Sequence, residues 1–313
     1  MAQYPTQFIT SKIYKELTDS ALTILDGGAR GGLNKRWDAV KDRIFVYGTE
    51  PDQSEIIKLN ESASISEKYL PIALYNKKGS FPLYITNKPA CISLIESNMQ
   101  LMNRFQIKDE FIVNKKTTVQ CDTIDNLINA QSIGDIDILK LDTQGSEFEI
   151  LEGAEKALRN NIVAVDIEVE FSRMYKNQSL FKDIDPVLTD KGFVLFDFLG
   201  NFGRAFRNSS KNSKNISRGQ VLWAHVLYLK DPLSSTITSQ HRLSKNKALK
   251  LVATAEMYNL SDYAIELVKH YSQLNVISYE EEVKIVKLLT KNIKIKSKLE
   301  KLRSIVFLNL APS

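Results

Sequence analysis

Lys140 and Asp142 close an apolar run in IDILKLDTQGSEFEILEGA, Ile136 to Ala154. In an extended strand both side chains turn to the same face. A cation and a carboxylate there can hold a turn together, or they can face a reacting group. IVAVDIEVE ends in Glu168 and Glu170, and QVLWAHVLYLK sets His225 on one strand face with Val221, Trp223 and Leu227. Asp142 is the first candidate for a general base acting on a hydroxyl, with Glu168 and Glu170 next and Lys140 beside them. Gln144, Glu147 and His225 are candidates to contact an acceptor. Glu147 also has an adequate structural role, because an acidic residue at a helix start is favoured by the helix dipole. His225 is either a hydrogen-bonded structural histidine or a further base. No ligand spacing marks a metal cluster, so no metal is expected.

A second constellation follows the first apolar run. In ILDGGARGGLNKRW the order is Asp26, Gly28, Ala29, Gly32. A strand, a glycine-rich turn and a helix make a nucleotide-cofactor site in doubly wound folds. The dinucleotide fingerprint G-x-G-x-x-G is absent, since no two of these glycines are two apart. Asp26 argues against a pyrophosphate, which it would repel. It suits a ligand carrying an ammonium and a sulfonium, as S-adenosyl-L-methionine does. Such attraction is worth about 4 kcal/mol at 4 Å with an effective dielectric of 20. Glu50 and Pro51 follow the next apolar run, where a carboxylate can accept both hydroxyls of a ribose.

The elements that must position these residues are legible as short β-rich runs. They are Ala21–Asp26, Arg43–Glu50, Tyr69–Tyr75, Ile136–Asp142, Ile162–Glu170, Phe193–Leu199 and Gln220–Lys230. Helical patterns lie between many of them, the signature of an α/β fold with a parallel core. Ser146 and Glu149 have capping-box spacing ahead of a helix striped by Ile150, Leu151, Ala154, Ala157 and Leu158. The long stretch from Asn76 to Gln131 suggests hairpin strands in GSFPLYI and TTVQC, with loops and a helix over the open end of the sheet. RNSSKNSKNISRG, Arg207 to Gly219, reads as a mobile loop. Beyond Pro232 the pattern is helical: Ala248, Leu251, Val252, Ala255 and Tyr258 form a stripe, Ser261 is an expected N-cap, and Ser278 with Glu281 has capping-box spacing. The expected domains are therefore 1–232, the α/β domain, and 233–313, a small all-α appendage.

Composition excludes some classes. The 313 residues are 43% hydrophobic and 25% charged, with a net charge of +5, ordinary for a soluble globular protein. No run of 18 apolar residues predicts a membrane span, and MAQYPTQFIT does not read as a signal peptide, so a cytoplasmic location is expected. Cys91 and Cys121 fit neither a zinc motif nor a disulfide framework and are expected to be small buried side chains. The mild positive charge does not point to nucleic acid.

IDILKLDTQGSEFEILEGA resembles the signature of FkbM-type methyltransferases, through Ile136, Asp137, Leu139, Lys140, Asp142, Gln144, Gly145, Glu147, Leu151, Gly153 and Ala154. ILDGGARGG and YGTEPD are similar to that family's glycine turn and second-strand end, through Asp26, Gly28, Ala29, Gly32, Glu50, Pro51 and Asp52. The resemblance spans roughly residues 20 to 230. It implies a class I Rossmann-like fold with a seven-stranded, mostly parallel sheet. It implies S-adenosylmethionine as cofactor and O-methylation of a sugar or another hydroxylated metabolite, a small molecule or a glycan. Arg30 departs from the pattern, as does His225 where an acidic residue is usual. An alternative is a cofactor-binding scaffold whose basic tail, Lys284, Lys287, Lys291, Lys294, Lys296, Lys298, Lys301 and Arg303, binds a partner. The C-terminal helices also offer a surface for self-association. A nicotinamide enzyme is disfavoured by the missing fingerprint and by Asp26.

Overall fold

The computed structural model describes residues 6–209, 212–234 and 243–291. Ten strands run in chain order: β1 Leu22–Gly27, β2 Ile44–Thr49, β3 Glu67–Leu70, β4 Ala73–Leu74, β5 Gly79–Thr86, β6 Val113–Asp122, β7 Ile138–Leu141, β8 Ala164–Glu170, β9 Phe193–Ala205 and β10 Gln220–Lys230. Seven of them form one sheet in the order β3-β2-β1-β7-β8-β10-β9. Pairing is parallel from β3 through β8, and antiparallel where β10 meets β8 and β9. This is the expected α/β architecture. β1 and β7 are neighbours, so the glycine turn and the Asp142 turn emerge side by side.

The inner strands β7 and β8 divide their faces by chemistry. Leu139, Leu141, Val165, Ile167 and Val169 join Ile150, Leu151, Ala154, Leu158, Ile184 and Leu188 in the main apolar core, between the sheet and the helices Glu147–Glu152, Glu155–Asn160 and Phe181–Thr189. Alternation sends Lys140, Asp166, Glu168 and Glu170 to the opposite face. That face is buried too: Asp166, Glu168 and Glu170 are 0%, 4% and 0% exposed. Charge buried at this density is not a packing solution and needs a chemical reason.

Four local expectations are corrected. Tyr69–Tyr75 is not one strand: it breaks at Pro71 into β3 and β4, and β4 pairs with β6 in a separate three-stranded sheet with β5. Proline has no N–H for a ladder, so a sheet ends there. The stretch after the glycine turn is a 3-10 segment, Lys35–Val40, rather than an α-helix. Gly28, Gly31 and Gly32 all have positive φ near 80°, which an α-helix does not accommodate. The helix expected over the sheet within 76–131 is one turn, Met99–Met102, with a second short helix at Ile124–Asn129. Within 207–219, Ser213–Ile216 forms one helical turn where a loop was expected.

Contacts group the described chain into two compact units, one of residues 6–21, 35–43 and 243–291, the other of 22–34 and 44–234. The sequence boundary at 232 left the N-terminal residues with the sheet domain; in the structure they group with the helices. Glu256 is one of the links. It is fully buried in the helix Lys245–Met257, and its carboxylate accepts the backbone N–H of Phe8 at 3.0 Å. That helix is buried around its whole circumference from Lys247 to Met257, not along one stripe. The next helix is Ser261–Gln273, capped from Leu260, so Ser261 is its first residue rather than its N-cap. Ser278 and Glu281 do make a reciprocal capping box, at 2.7 and 3.2 Å, and residues 279–291 are helical. Of the basic tail, Lys294, Lys296, Lys298, Lys301 and Arg303 lie outside the described residues. Among the described residues no helix is long and apolar enough to cross a membrane.

Glu256→Ala leaves the buried Phe8 N–H without an acceptor, which costs about 1–3 kcal/mol. Chemical denaturation of the two proteins measures it, and an unchanged stability contradicts the role given to this carboxylate.

Candidate active site

The carboxyl ends of β1, β2 and β7 enclose a cleft of about 260 Å³. Gly28, Arg30, Glu50 and Pro51 line it on one side, Asp142, Thr143, Gln144 and Ser146 on another, and Ala73, Leu74 and Leu83 give it apolar walls. Gly28 has φ +81°, and a Cβ there would come within 2.2 Å of the Asp142 carbonyl oxygen. The turn is thus a cradle that only glycine makes. Glu50 is 4% exposed, and its Oε1 accepts the Asp52 N–H at 2.8 Å. Burial raises its pKa from the ordinary value, against the nearby Arg30. Arg30 turns to the acidic group around it, 2.7 Å from Asp52 and 3.6 Å from Glu50. Burial notwithstanding, this contact and the bonds from Ser54 hold the Asp52 carboxyl at about 2.

Asp26 and Lys140 are placed otherwise than expected. They face each other across the β1–β7 pair, and Lys140 Nζ donates to Asp26 Oδ1 at 2.7 Å. Lys140 therefore pairs with Asp26, not with Asp142, and neither side chain is among those lining the cleft. Burial raises the Asp26 pKa while Lys140 opposes it. Burial also works against the Lys140 ammonium, but Asp26, Asp142 and Asp166 outweigh it and raise its pKa.

Asp142, Glu168 and His225 come together from β7's end, β8 and β10. His225 Nε2 stands 3.8 Å from Asp142 Oδ2 and 3.5 Å from Glu168 Oε2, and Nδ1 stands 3.8 Å from Asp166 Oδ1. Gln144 arranges this group. Its φ is +61°, and its amide Nε2 donates to Asp142 Oδ1 and Glu168 Oε1, each at 2.8 Å. The Tyr175 hydroxyl, 3.0 Å from Gln144 Oε1, fixes which way the amide points. Glu170 is fully buried two residues beyond Glu168 on the same face. Burial first, then the neighbouring carboxylates, pushes both Glu168 and Glu170 well above the usual range. Tyr175 was not singled out from the sequence; an aromatic in FSRMY gives no sign that it will orient a distant glutamine.

Glu147 does not point into the cleft, and the Ser146–Glu149 capping box does not form. Ser146 makes no side-chain cap, and its hydroxyl donates to Thr143 Oγ1 at 3.0 Å. Glu147, 1% exposed, closes the turn instead, accepting the N–H groups of Thr143 at 2.7 Å and Gly145 at 2.8 Å and the Thr143 hydroxyl at 2.9 Å. The cysteines are buried and unpaired, and burial pushes the Cys91 thiol up to about 12.

The Methyltransferase FkbM domain matches residues 33–195. The chain belongs to the FkbM methyltransferase family. As a family member it is an S-adenosylmethionine-dependent methyltransferase. No curated protein matches the sequence. Among solved structures it is similar to a TehB-like SAM-dependent methyltransferase from Corynebacterium glutamicum, at 14% identity and TM-score 0.31, over 70% of this chain and 86% of that one. It is also similar to TrmK of M. capricolum with S-adenosyl-homocysteine, at 11% identity and TM-score 0.30, over 91% and 96%. Human methyltransferase-like protein 13 with SAH gives 12% identity and TM-score 0.33, over 82% and 89%. The strand order, rather than these distant likenesses, defines the fold.

The chemistry of the cleft is compatible with this cofactor: a glycine cradle at the end of β1, a buried carboxylate at the end of β2, and apolar walls.

Burial drives the Glu147 carboxyl from 4.5 up to about 7, although three hydrogen bonds oppose it. The raised folded value means that its contribution to stability is complete below about pH 4.5 and is lost as pH rises through about 7, a change of about 3 kcal/mol. Unfolding free energies of the native protein and Glu147→Gln, measured across that range, should show their difference falling as pH rises. A pH-independent difference contradicts the assignment.

Proposed function

We propose that this FkbM methyltransferase O-methylates a hydroxylated acceptor, a sugar or a related metabolite, with Asp142 as the group that takes the hydroxyl proton. The observation that carries this reading is the position of Asp142. It lines the cofactor cleft, and its far oxygen faces His225 and Glu168. When bound, S-adenosylmethionine supplies a methyl group on a sulfonium, an electrophile that needs alignment more than activation.

The chain's own residues divide the rest of the work. Gly28, Ala29 and Gly32 would leave room for the cofactor's backbone approach, Glu50 would accept its ribose hydroxyls, and Pro51 would bound the pocket. Asp26 contributes through Lys140, keeping the turn in place. Gln144 ties down one oxygen of Asp142 and one of Glu168, so that the other oxygen of each is turned toward His225. A hydroxyl placed against Asp142 meets a fixed acceptor, and His225 provides a second proton site 3.8 Å away. Acid–base assistance of this kind contributes about 10²–10⁴-fold. Acceptor choice is assigned to the insertion strands β5 and β6 and to residues 207–219. The division into an α/β catalytic domain and a helical appendage is part of this proposal, with the appendage in a supporting role or in self-association.

Calorimetric titration with S-adenosylmethionine, S-adenosylhomocysteine and NAD is the first measurement, followed by a screen of sugar acceptors. Binding of the two adenosyl ligands and not NAD is expected. Asp142→Asn should keep adenosylhomocysteine binding and lower turnover by about 10²–10⁴-fold. Turnover within a factor of two of the native rate removes Asp142 as the base. Transfer to nitrogen or carbon acceptors only would overturn the O-methylation reading.

A further inference from the structure

Three side chains with ligating atoms converge beside the cleft: the Asp142 and Glu168 carboxylates and the His225 imidazole, one ligand atom of each within 4.8 Å of the others. Their separations are informative. At 3.5 and 3.8 Å, His225 Nε2 is beyond a good hydrogen bond to either carboxylate. Ligands about 2.1 Å from a shared tetrahedral ion stand about 3.4 Å apart, close to the two His225–carboxylate separations. The outer groups are arranged for the same purpose. Gln144 occupies Asp142 Oδ1 and Glu168 Oε1, which leaves Oδ2 and Oε2 facing the imidazole. His225 Nδ1 is buried without a hydrogen-bond partner and faces the fully buried Asp166 carboxylate 3.8 Å away. An imidazole with one nitrogen toward an outer carboxylate and the other toward two carboxylate oxygens that could share a cation is set as a metal ligand.

Three acids face this one histidine: Asp142 Oδ2 and Glu168 Oε2 stand toward Nε2, and Asp166 Oδ1 stands toward Nδ1. The buried Lys140 ammonium does not neutralise them, being committed to Asp26.

We propose that Asp142, Glu168 and His225 bind one divalent transition-metal cation, with Gln144 and Asp166 as the groups that orient the ligands. Two oxygens and an imidazole nitrogen favour Mn²⁺, Co²⁺ or Zn²⁺ over Mg²⁺, which prefers oxygen and water. The matched family domain, residues 33–195, contains Asp142 and Glu168, while His225 is supplied by β10 beyond it. Three protein ligands leave positions open. In the cation-free protein Asp142 Oδ2 is the proton acceptor proposed above; with the cation bound that oxygen is a ligand, and an acceptor hydroxyl on an open position would lose its proton to solvent. Cation binding itself does not depend on the methyl-transfer reading.

The test uses the full chain, stripped with a chelator and titrated with Mn²⁺ while the free-ion electron paramagnetic resonance signal is followed. One bound equivalent is expected, with nitrogen modulation from an imidazole in the spin-echo spectrum. Glu168→Gln and His225→Gln should abolish binding, and Asp166→Asn should weaken it by about 10–100-fold. Adenosylhomocysteine titration of each variant reports that the fold is retained. Equal free Mn²⁺ signals with and without native protein overturn the proposal, as do unaltered binding in the variants or absent nitrogen modulation in the native protein. The last readout needs no variant to fold. Mn²⁺ bound as expected by a chain that takes up no adenosyl ligand supports the cation site and removes the methyl-transfer reading instead.

Discussion

The ion pair between Lys140 and Asp26 is the constraint on which the site's geometry rests. Each charge alone would be costly to desolvate, by several kcal/mol, and they are tolerable in the sheet only opposite one another. Their meeting requires the β1–β7 register in which Asp26 lies beside Lys140. That register carries the chain two residues further to Gly28 and Asp142, whose backbones approach too closely for any side chain on the glycine. The glycine turn and the Asp142 carboxylate are thereby fixed to each other through backbone. A slip of one residue would send Lys140 into the apolar layer and dismantle both.

The same strands perform two incompatible tasks by alternation. Leu139, Leu141, Val165, Ile167 and Val169 stabilise the domain by packing on helices, while their neighbours collect acids on the far face. Stability is supplied by one face, so the other can hold charge that weakens the fold. Orientation within that charged face is then a matter of hydrogen bonds, and Gln144 is their centre. A neutral amide is the one side chain that can donate to two carboxylates and accept from Tyr175 at once.

Much of the fold was legible because strand ends coincide with charge or glycine. The seven runs of the main sheet, the parallel core and the helical C-terminal region all follow from pattern. What pattern missed has local causes. Pro71 cut an apolar run in two, and three left-handed glycines replaced an expected α-helix with a 3-10 segment. Ser146 and Glu149 have the spacing of a cap, but Glu147 captured the turn's N–H groups first. The site was legible as separate residues: Asp142, Glu168 and His225 were each singled out on strand-face arguments. Their convergence was not, because it depends on β10 running antiparallel beside β8, a matter of topology rather than spacing. For Asp26 and Lys140 the chemistry was visible and the partnership was not.

β10 pairs with β8 without interruption, setting His225 opposite Glu168 and Trp223 opposite Glu170. Toward β9 its pairing is irregular, shifting between Val221 and Trp223, between Trp223 and His225, and between Leu227 and Tyr228. The Trp223 ring occupies the space above Gly203, where a Cβ would lie 2.0 Å from it. All the slack in this part of the sheet is therefore on its outer border. Insertions and deletions in β9 can be absorbed along that border without moving His225 from its place opposite Glu168, so length and position are decoupled on this side of the sheet.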